Sequence, residues 1–284
     1  GLDSLTSVEL AHTIETNLGV VVPLNIFLQG ASVTELATRV LEKQKAVQRT
    51  DSASEQRVSP GQRALWFLQQ VEPGSAAYNL VGAVRVLSAL DVPALRRAFE
   101  ALVTRHVSLR TTFESHDGEP IPRVAETAEF DFTVQDAFAW SDAAVNQYLT
   151  DEGYRPFNLE VGPLLRVRLL KRSAHEHLLL LSLHHIIADQ WSLAVLLNDP
   201  GVLYEAERTN MPAALPALPS QYADYVQWQK EILSGESGER LLSYWEKQLA
   251  GELPILNLPT DRPRPAVKSY QGAAHTFRLS ADLT

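Results

Sequence analysis

The hydrophobic pattern of residues 1–47 predicts two helices. Apolar residues recur at roughly helical spacing near the start of the chain, at Leu5, Val8, Leu10 and Ile14. The segment 32–47 begins with Ser32 as an N-cap and has Glu35 three residues later, which is the pattern of a capping box. Residues 48–57 are small and polar without an apolar period, and this stretch is predicted to be a linker.

From Val58 onward the pattern alternates between strands and helices. Strands are predicted at 80–87, 109–114, 130–134, 164–171 and 176–187. Helices are predicted at 91–106, 141–152, 189–208, 220–233 and 238–251, followed by an extended proline-rich stretch at 252–267. The third of these helices contains "NDPG" at 198–201, where Pro200 is expected to interrupt and kink it. Strands alternating with helices indicate an α/β (α+β) fold with a central sheet flanked by helices.

The composition of the chain disfavours or excludes several classes of partner and of catalytic site. The chain has 25 Lys and Arg against 34 Asp and Glu, a formal charge of −9, which disfavours nucleic acid or an anionic membrane as a partner. It has no cysteine, so thiolate catalysis, thiolate metal sites and disulfides are excluded. No apolar run is long enough for a membrane span and no signal peptide opens the chain, so a cytoplasmic protein is expected. Both ends are abrupt, and we interpret the sequence as an excerpt of a longer protein.

The candidate catalytic residues lie in "LSLHHIIADQWSL" at 181–193. His184 and His185 end an apolar run, and Asp189 follows four residues after the second histidine. Adjacent strand residues point to opposite faces, so one imidazole can face a cavity while its neighbour packs inward. No third ligand at metal-binding spacing and no G-x-S-x-G motif is present, so no metal site or serine hydrolase is predicted. Two interpretations stay open: one imidazole acts as a general base or hydrogen-bond donor, or both are core histidines.

Three further stretches each have a structural interpretation. Ser4 in "GLDSL" is either an N-cap or an acceptor for a phosphodiester that a helix N-terminus stabilises. Arg105 and His106 suit the C-terminal dipole of the helix that they end. The aromatic residues of "YADYVQW" at 222–228 are interpreted as a helix face that packs on the core.

Taken together, the motifs resemble the first four signature motifs of nonribosomal peptide synthetase condensation domains. In order, they are "SPGQRALWFLQQ" (59–70), "RHVSLRTTFE" (105–114), "HHIIADQWSL" (184–193) and "YADYVQWQ" (222–229). The resemblance implies a chloramphenicol-acetyltransferase-like fold, with residues 58–257 as the N-terminal lobe and 258–284 as the crossover toward an absent C-terminal lobe.

Residues 1–47 resemble the second half of an acyl carrier protein. The match of "GLDSL" to the phosphopantetheine-attachment motif implies that Ser4 carries a covalent 4′-phosphopantetheine, added by a phosphopantetheinyl transferase. The form "GLDSL" is more similar to polyketide-type carriers than to many peptidyl carriers. This implies a junction in a hybrid polyketide–peptide megasynthase.

The resemblance also implies a reaction and roles for the residues. Such domains join an upstream carrier-bound acyl thioester to the amine of a downstream carrier-bound aminoacyl thioester. His185 is expected to face the tunnel between the lobes and to accept a proton or stabilise charge, while His184 serves packing. Asp189 is expected to be mainly structural, held by an arginine beyond Thr284.

Two departures from the family pattern leave alternatives open. Gln190 stands where the motif has glycine, and is expected to narrow the acceptor side or alter the local turn. Ala64 stands at the usual arginine position, with Arg63 one place earlier. The alternatives are a catalytically silent docking module and a related acyltransferase that uses a free acceptor. Heterocyclisation and epimerisation domains are disfavoured, the latter because Trp191 precedes the serine.

Overall fold

The computed structural model describes residues 10, 13–14, 22, 26, 32–47 (42–47 as backbone), 58–127, 129–255, 257–263, 275 and 277–283. Ser4 and the linker predicted at 48–57 lie outside these residues. The chain divides into two compact units, Gly1–Leu233 and Ser234–Thr284.

The N-terminal region carries helix α1, Val33–Val47. Its predicted capping box is confirmed: the Ser32 backbone N–H donates to Glu35 Oε2 at 2.8 Å and the Glu35 N–H donates to Ser32 Oγ at 3.3 Å. Leu36 and Val40 are buried in a small apolar cluster, because their four-residue spacing places them on one helix face. The other buried members of this cluster are Val22 and Ile26.

A four-stranded mixed sheet forms the centre of the first unit. Its strands are β1 (Asn79–Val86), β4 (Asp131–Asp136), β5 (Leu165–Ser173) and β6 (Glu176–His184), in the order β1-β6-β5-β4. The pairs β1–β6 and β6–β5 are antiparallel, and β4–β5 is parallel. A separate hairpin is formed by β2 (Thr111–His116) and β3 (Glu119–Val124).

Besides α1, the helices of this unit are α2 (Pro60–Val71), α3 (Val92–Arg105), α4 (Asp142–Gly153), α5 (Gln190–Thr209) and α6 (Tyr222–Leu233). Asp91 caps α3 as its position before Pro93 suggests, since its Oδ1 accepts from the Ala94 N–H at 2.9 Å. Two strand predictions were wrong at one end. The predicted strand 109–114 begins only at Thr111, after a 3₁₀ turn at Val107–Arg110, and the predicted strand 176–187 ends at His184.

Helix α5 runs unbroken through Pro200, so the predicted interruption at 198–201 was wrong. Proline removes one backbone donor, but the helix is held there by side-chain contacts. The buried Asp199 carboxylate accepts from Arg105 Nε at 3.3 Å and lies 3.0 Å from His106 Nε2. Arg105 and His106 therefore tie the end of α3 to the middle of α5, which their interpretation as dipole partners did not anticipate.

One face of the sheet buries apolar side chains, and the other also buries charged and polar ones. One face packs apolar residues of β5 and β6 against α3, with Phe99, Leu102, Val167, Leu169 and Leu183 fully buried. The other face, covered by α4, holds the buried Arg166, Arg168 and His184 because strand side chains alternate. This alternation directs His184 into the protein.

The second unit contains α7 (Glu236–Gln248) and a 3₁₀ turn at Ala281–Leu283. Residues 252–255 and 257–263 form no helix or strand, in agreement with the extended stretch predicted from their prolines. None of the helices in the described segments is long and apolar enough to cross a bilayer.

Candidate active site

The two adjacent histidines lie in different environments at the end of β6. His184 is the last strand residue and is 1% exposed. The chain then turns through residues 185–187, closed by a hydrogen bond from the Ile187 N–H to the His184 carbonyl at 3.1 Å, and His185 is exposed. One imidazole is thus inside and one outside, although the turn rather than strand alternation directs the second ring outward.

The geometry at His185 defines its protonation pattern when the ring is neutral. Its Nδ1 atom lies 2.9 Å from the backbone carbonyl oxygen of Ala188. A carbonyl oxygen only accepts hydrogen bonds, so we assign the proton to Nδ1. The lone pair then resides on Nε2, which is the nitrogen able to accept a proton from a substrate.

His184 has the opposite tautomer and a structural contact. Its Nδ1 accepts from the backbone N–H of Ile186 at 3.1 Å, so the proton of the neutral ring is on Nε2. Burial, with a smaller contribution from the charge of His185, lowers the pKa of His184 to about 4. Within the part of the chain that the structure describes, Nε2 is buried without a hydrogen-bond partner. His184 is therefore neutral near pH 7.

Asp189 is the N-cap of α5. Its Oδ1 accepts from both the Ser192 backbone N–H and the Ser192 hydroxyl at 2.7 Å, and its own N–H donates to Ser192 Oγ at 3.1 Å. These hydrogen bonds from Ser192 lower the pKa of Asp189. The carboxylate holds the start of α5 directly after Ala188, the residue whose carbonyl orients His185.

Gln190 is the first residue of α5, with an ordinary helical backbone. Among the described residues other than glycine, only Asp117 and Asn210 have positive φ. This position therefore makes no conformational demand for glycine. At the other departure from the family pattern, Ala64 stands at the usual arginine position and its side chain is exposed. The neighbouring Arg63 forms a two-point ion pair with Glu119 at 2.8 and 2.9 Å.

Two residues that the sequence analysis did not single out contact this turn. Gln62 Nε2 donates to the Ile186 carbonyl at 3.1 Å, and the His185 backbone N–H donates to the Tyr78 carbonyl at 2.8 Å. Gln62 completes a capping box with Ser59 at the start of α2. The S-x-x-Q pattern before an apolar run would have predicted the cap, but not the contact with Ile186.

The aromatic stretch of α6 is partly exposed, so its interpretation as a core-packing face was wrong. Only Val226 of α6 is buried, while Tyr222, Tyr225 and Trp228 are 43, 43 and 54% exposed. Their rings lie next to one another along the helix, with centroids 5.5 and 5.6 Å apart and planes tilted by 40° and 37°. The Tyr222 hydroxyl lies 2.9 Å from Ser59 Oγ, which brings the first and fourth motifs together.

A groove of about 460 Å³ lies between α3, α5 and residues 213–221, and its lining does not include the histidine pair. No group of three metal-ligating side chains suited to a metal ion occurs among the described residues.

Comparison with protein families gives two matches. Residues 52–284 match the Condensation domain family, and residues 1–40 match the Phosphopantetheine attachment site family. The second match confirms covalently attached 4′-phosphopantetheine as the cofactor of this region. A serine hydroxyl has the chemistry to form the phosphodiester, but Ser4 lies outside the described residues and its assignment stays a prediction.

The curated relatives are far longer than this chain. A linear gramicidin synthase protein of Brevibacillus parabrevis is 37% identical over 99% of this chain, which spans 4% of that protein. Phosphinothricin tripeptide synthetase PhsC of Streptomyces viridochromogenes is 40% identical over 80% of this chain, which spans 21% of it.

Solved structures share the fold. The X-domain from teicoplanin biosynthesis has a TM-score of 0.67 and 28% identity over 77% of this chain and 48% of the X-domain. The starter condensation domain of rhizomide synthetase has a TM-score of 0.63 over 68% of this chain and 47% of that domain. At 21% identity, the latter similarity speaks for the fold alone. These similarities confirm the predicted chloramphenicol-acetyltransferase-like fold.

Proposed function

This chain belongs to the condensation-domain family of acyltransferase-type enzymes, and we propose that it supplies one lobe of an enzyme that forms amide bonds in nonribosomal peptide synthesis. The acyl donor is a thioester on an upstream carrier domain. The acceptor is the amine of an aminoacyl thioester on a downstream carrier domain. Both carriers, and a second lobe that completes the tunnel, are partners in this proposal.

The observation that carries the proposal is the exposed His185 ring, whose Nδ1 is bound by the Ala188 carbonyl. When the amine attacks the thioester, a C–N bond forms and the nitrogen gains positive charge. Nε2 of His185 accepts the proton of that nitrogen, the C–S bond breaks, and the proton passes to the departing thiolate. A positioned base of this kind contributes roughly 10²- to 10⁴-fold in rate, and holding both thioesters together contributes further.

The other predicted site residues have supporting roles. His184 packs in the core behind the turn, a role supported by its hydrogen bond with the Ile186 N–H. Asp189 caps α5, a role supported by its hydrogen bond with the Ser192 N–H. Gln190, whose backbone is ordinary, lies on the acceptor side. The proposed division is a partial carrier at 1–47, a linker at 48–57, the first lobe at 58–257 and a crossover at 258–284. Ser4 on a polyketide-type carrier, modified by a phosphopantetheinyl transferase, would make this a polyketide–peptide junction.

The test replaces His185 in a protein that joins this chain to a complete upstream carrier, the second lobe and a downstream carrier. His185→Ala is expected to lower amide formation by at least about 100-fold, while mass spectrometry shows both carriers still loaded. His175→Ala, which changes an exposed histidine in the turn between β5 and β6, is the matched control and should leave the rate unchanged. Normal product formation by His185→Ala would reject the proposed role of this imidazole.

A second candidate is a recruitment module without condensation activity. It is supported by the similarity to the teicoplanin X-domain, of which a solved complex with OxyB is known, and by Gln190 in place of the motif glycine. Gln190→Gly separates the candidates: no turnover in either the natural protein or the variant favours recruitment. Supplying soluble amines and alcohols in the same assay tests the remaining alternative, an acyltransferase that uses a free acceptor.

A further inference from the structure

We propose that Gln62 is a positioning residue that fixes the ring orientation of His185 by holding the turn after it. This inference rests on the proposed function, because it concerns the same imidazole. Gln62 lies 124 residues before Ile186, and its buried side chain crosses from α2 to the turn.

Both the oxygen and the nitrogen of the Gln62 side-chain amide form hydrogen bonds. Its Oε1 accepts from the backbone N–H of Ser59 at 3.1 Å, and its Nε2 donates to the Ile186 carbonyl at 3.1 Å. A flipped amide would set its oxygen against the carbonyl and its NH₂ against the N–H, so the orientation is determined by the partners. Because Ser59 is the N-cap of α2, Gln62 connects the turn after His185 to the first turn of this helix.

Ile186 is held on both sides by side chains. His184 Nδ1 accepts from its N–H and Gln62 Nε2 donates to its carbonyl. The two peptide groups that flank Ile186 set its backbone torsions, and these torsions set the direction in which the chain continues to the Ala188 carbonyl two residues later. That carbonyl is the acceptor for His185 Nδ1. Gln62 therefore acts on His185 through two residues of backbone, without touching the ring.

Loss of the Gln62 donor leaves a buried carbonyl without this partner. A buried unsatisfied carbonyl is unfavourable, so the peptide rotates toward a new donor or water. This rotation moves the Ala188 carbonyl and releases Nδ1. The ring then samples both tautomers and more than one orientation.

The experiment measures tautomers by two-bond ¹H–¹⁵N correlation of histidine-labelled protein at about pH 8, where a free imidazole is neutral. In the natural chain His185 is expected in the Nδ1–H form. In Gln62→Met the share of the Nε2–H form rises. In the complete condensation assay the same variant lowers kcat by roughly ten- to a hundredfold with KM unchanged.

Gln69→Met is the matched control, since Gln69 is a buried glutamine on the same helix that donates to the carbonyls of Pro73 at 2.8 Å and Phe157 at 3.4 Å. It removes a similar amide without touching the turn, and should change neither tautomer nor kcat. Gln62→Glu is the second variant: its ionised carboxylate still accepts from Ser59 and lacks the donor, so it separates positioning from loss of the helix cap.

Either an unchanged His185 tautomer or an unchanged kcat in both Gln62 variants would overturn the inference. Equal effects of Gln69→Met would overturn it too, because they would indicate general loss of packing. If the natural protein forms no amide, the proposed function fails, and the tautomer measurement alone decides whether Gln62 positions the ring.

Discussion

His184 Nδ1 accepts a hydrogen bond from the backbone N–H of Ile186 at 3.1 Å, and the His184 ring is buried edge-on to the ring of Phe157. The contact needs an unprotonated Nδ1, so it exists only when the ring is neutral. Folding therefore opposes protonation of this histidine, in agreement with its pKa of about 4.

We expect His184 to make the fold sensitive to mild acid. Since its pKa falls from 6.5 to about 4 on folding, the unfolded chain binds a proton between these values that the folded chain does not. Stability is lost as the pH falls through this window, by up to about 3 kcal/mol. Urea unfolding at about pH 7 and pH 4.5 measures the difference.

His184→Gln is expected to shrink that acid-dependent loss, because an amide oxygen can accept from Ile186 and never takes up charge. His175→Gln, at an exposed position, is expected to leave it as it is. An acid profile of His184→Gln identical to that of the natural chain would contradict the assignment.

Asp189 is expected to stabilise α5 through its hydrogen bonds more than through its charge. Asp189→Ala removes the acceptor of the Ser192 N–H and should lower the free energy of unfolding by about 1 kcal/mol. Asp189→Asn retains an oxygen acceptor and should lose distinctly less. Urea unfolding compares the two variants; an equal loss in both would show that the carboxylate charge is what matters.

The buried Arg168 is expected to contribute far more to the free energy of unfolding than the exposed Arg155, which contacts the same carboxylates. Arg168 is 4% exposed and lies 2.6 Å from both Asp131 Oδ2 and Glu152 Oε2, whereas Arg155 contacts the same carboxylates with 51% exposure. Arg168→Met should destabilise the fold by about 3 kcal/mol, since it leaves two partly buried carboxylates without their main partner.

The matched variant Arg155→Met should change stability by less than about 1 kcal/mol, as exposed ion pairs do. The two are compared by denaturant unfolding at equal ionic strength. Losses of similar size would mean that burial does not decide the strength of this network.

Any side chain at Gly162 is expected to destabilise the fold. Its φ is +64°, and a Cβ there would lie 2.8 Å from Thr112 Cγ2. Gly162→Ala should lower stability by about 1–3 kcal/mol, through both the left-handed backbone and the clash. Gly82→Ala is the control, because a Cβ at Gly82 on β1 meets nothing within 4 Å. Thermal unfolding distinguishes them, and equal midpoints would refute the expectation.

Local patterns were sufficient for most helices and caps. Ser32 caps α1 as predicted, and Asp91 caps α3 by the same local rule, because a cap depends on residues within one helical turn. The end of β6 was mispredicted for a physical reason: Ile186 and Ile187 extend the apolar run, but they are buried within a turn. Pro200 was mispredicted because packing around Asp199 outweighs a local rule.

From the order of its motifs, the sequence by itself determined the family and brought His184, His185 and Asp189 forward as candidates. The family resemblance also predicted that His184 serves packing, whereas only the tertiary structure decided which nitrogen of each ring carries the proton. The proton positions depend on the Ala188 carbonyl and the Ile186 N–H, which meet the two rings only in the folded turn. Gln62 meets the turn only after folding, because a contact across 124 residues leaves no periodic trace in the sequence.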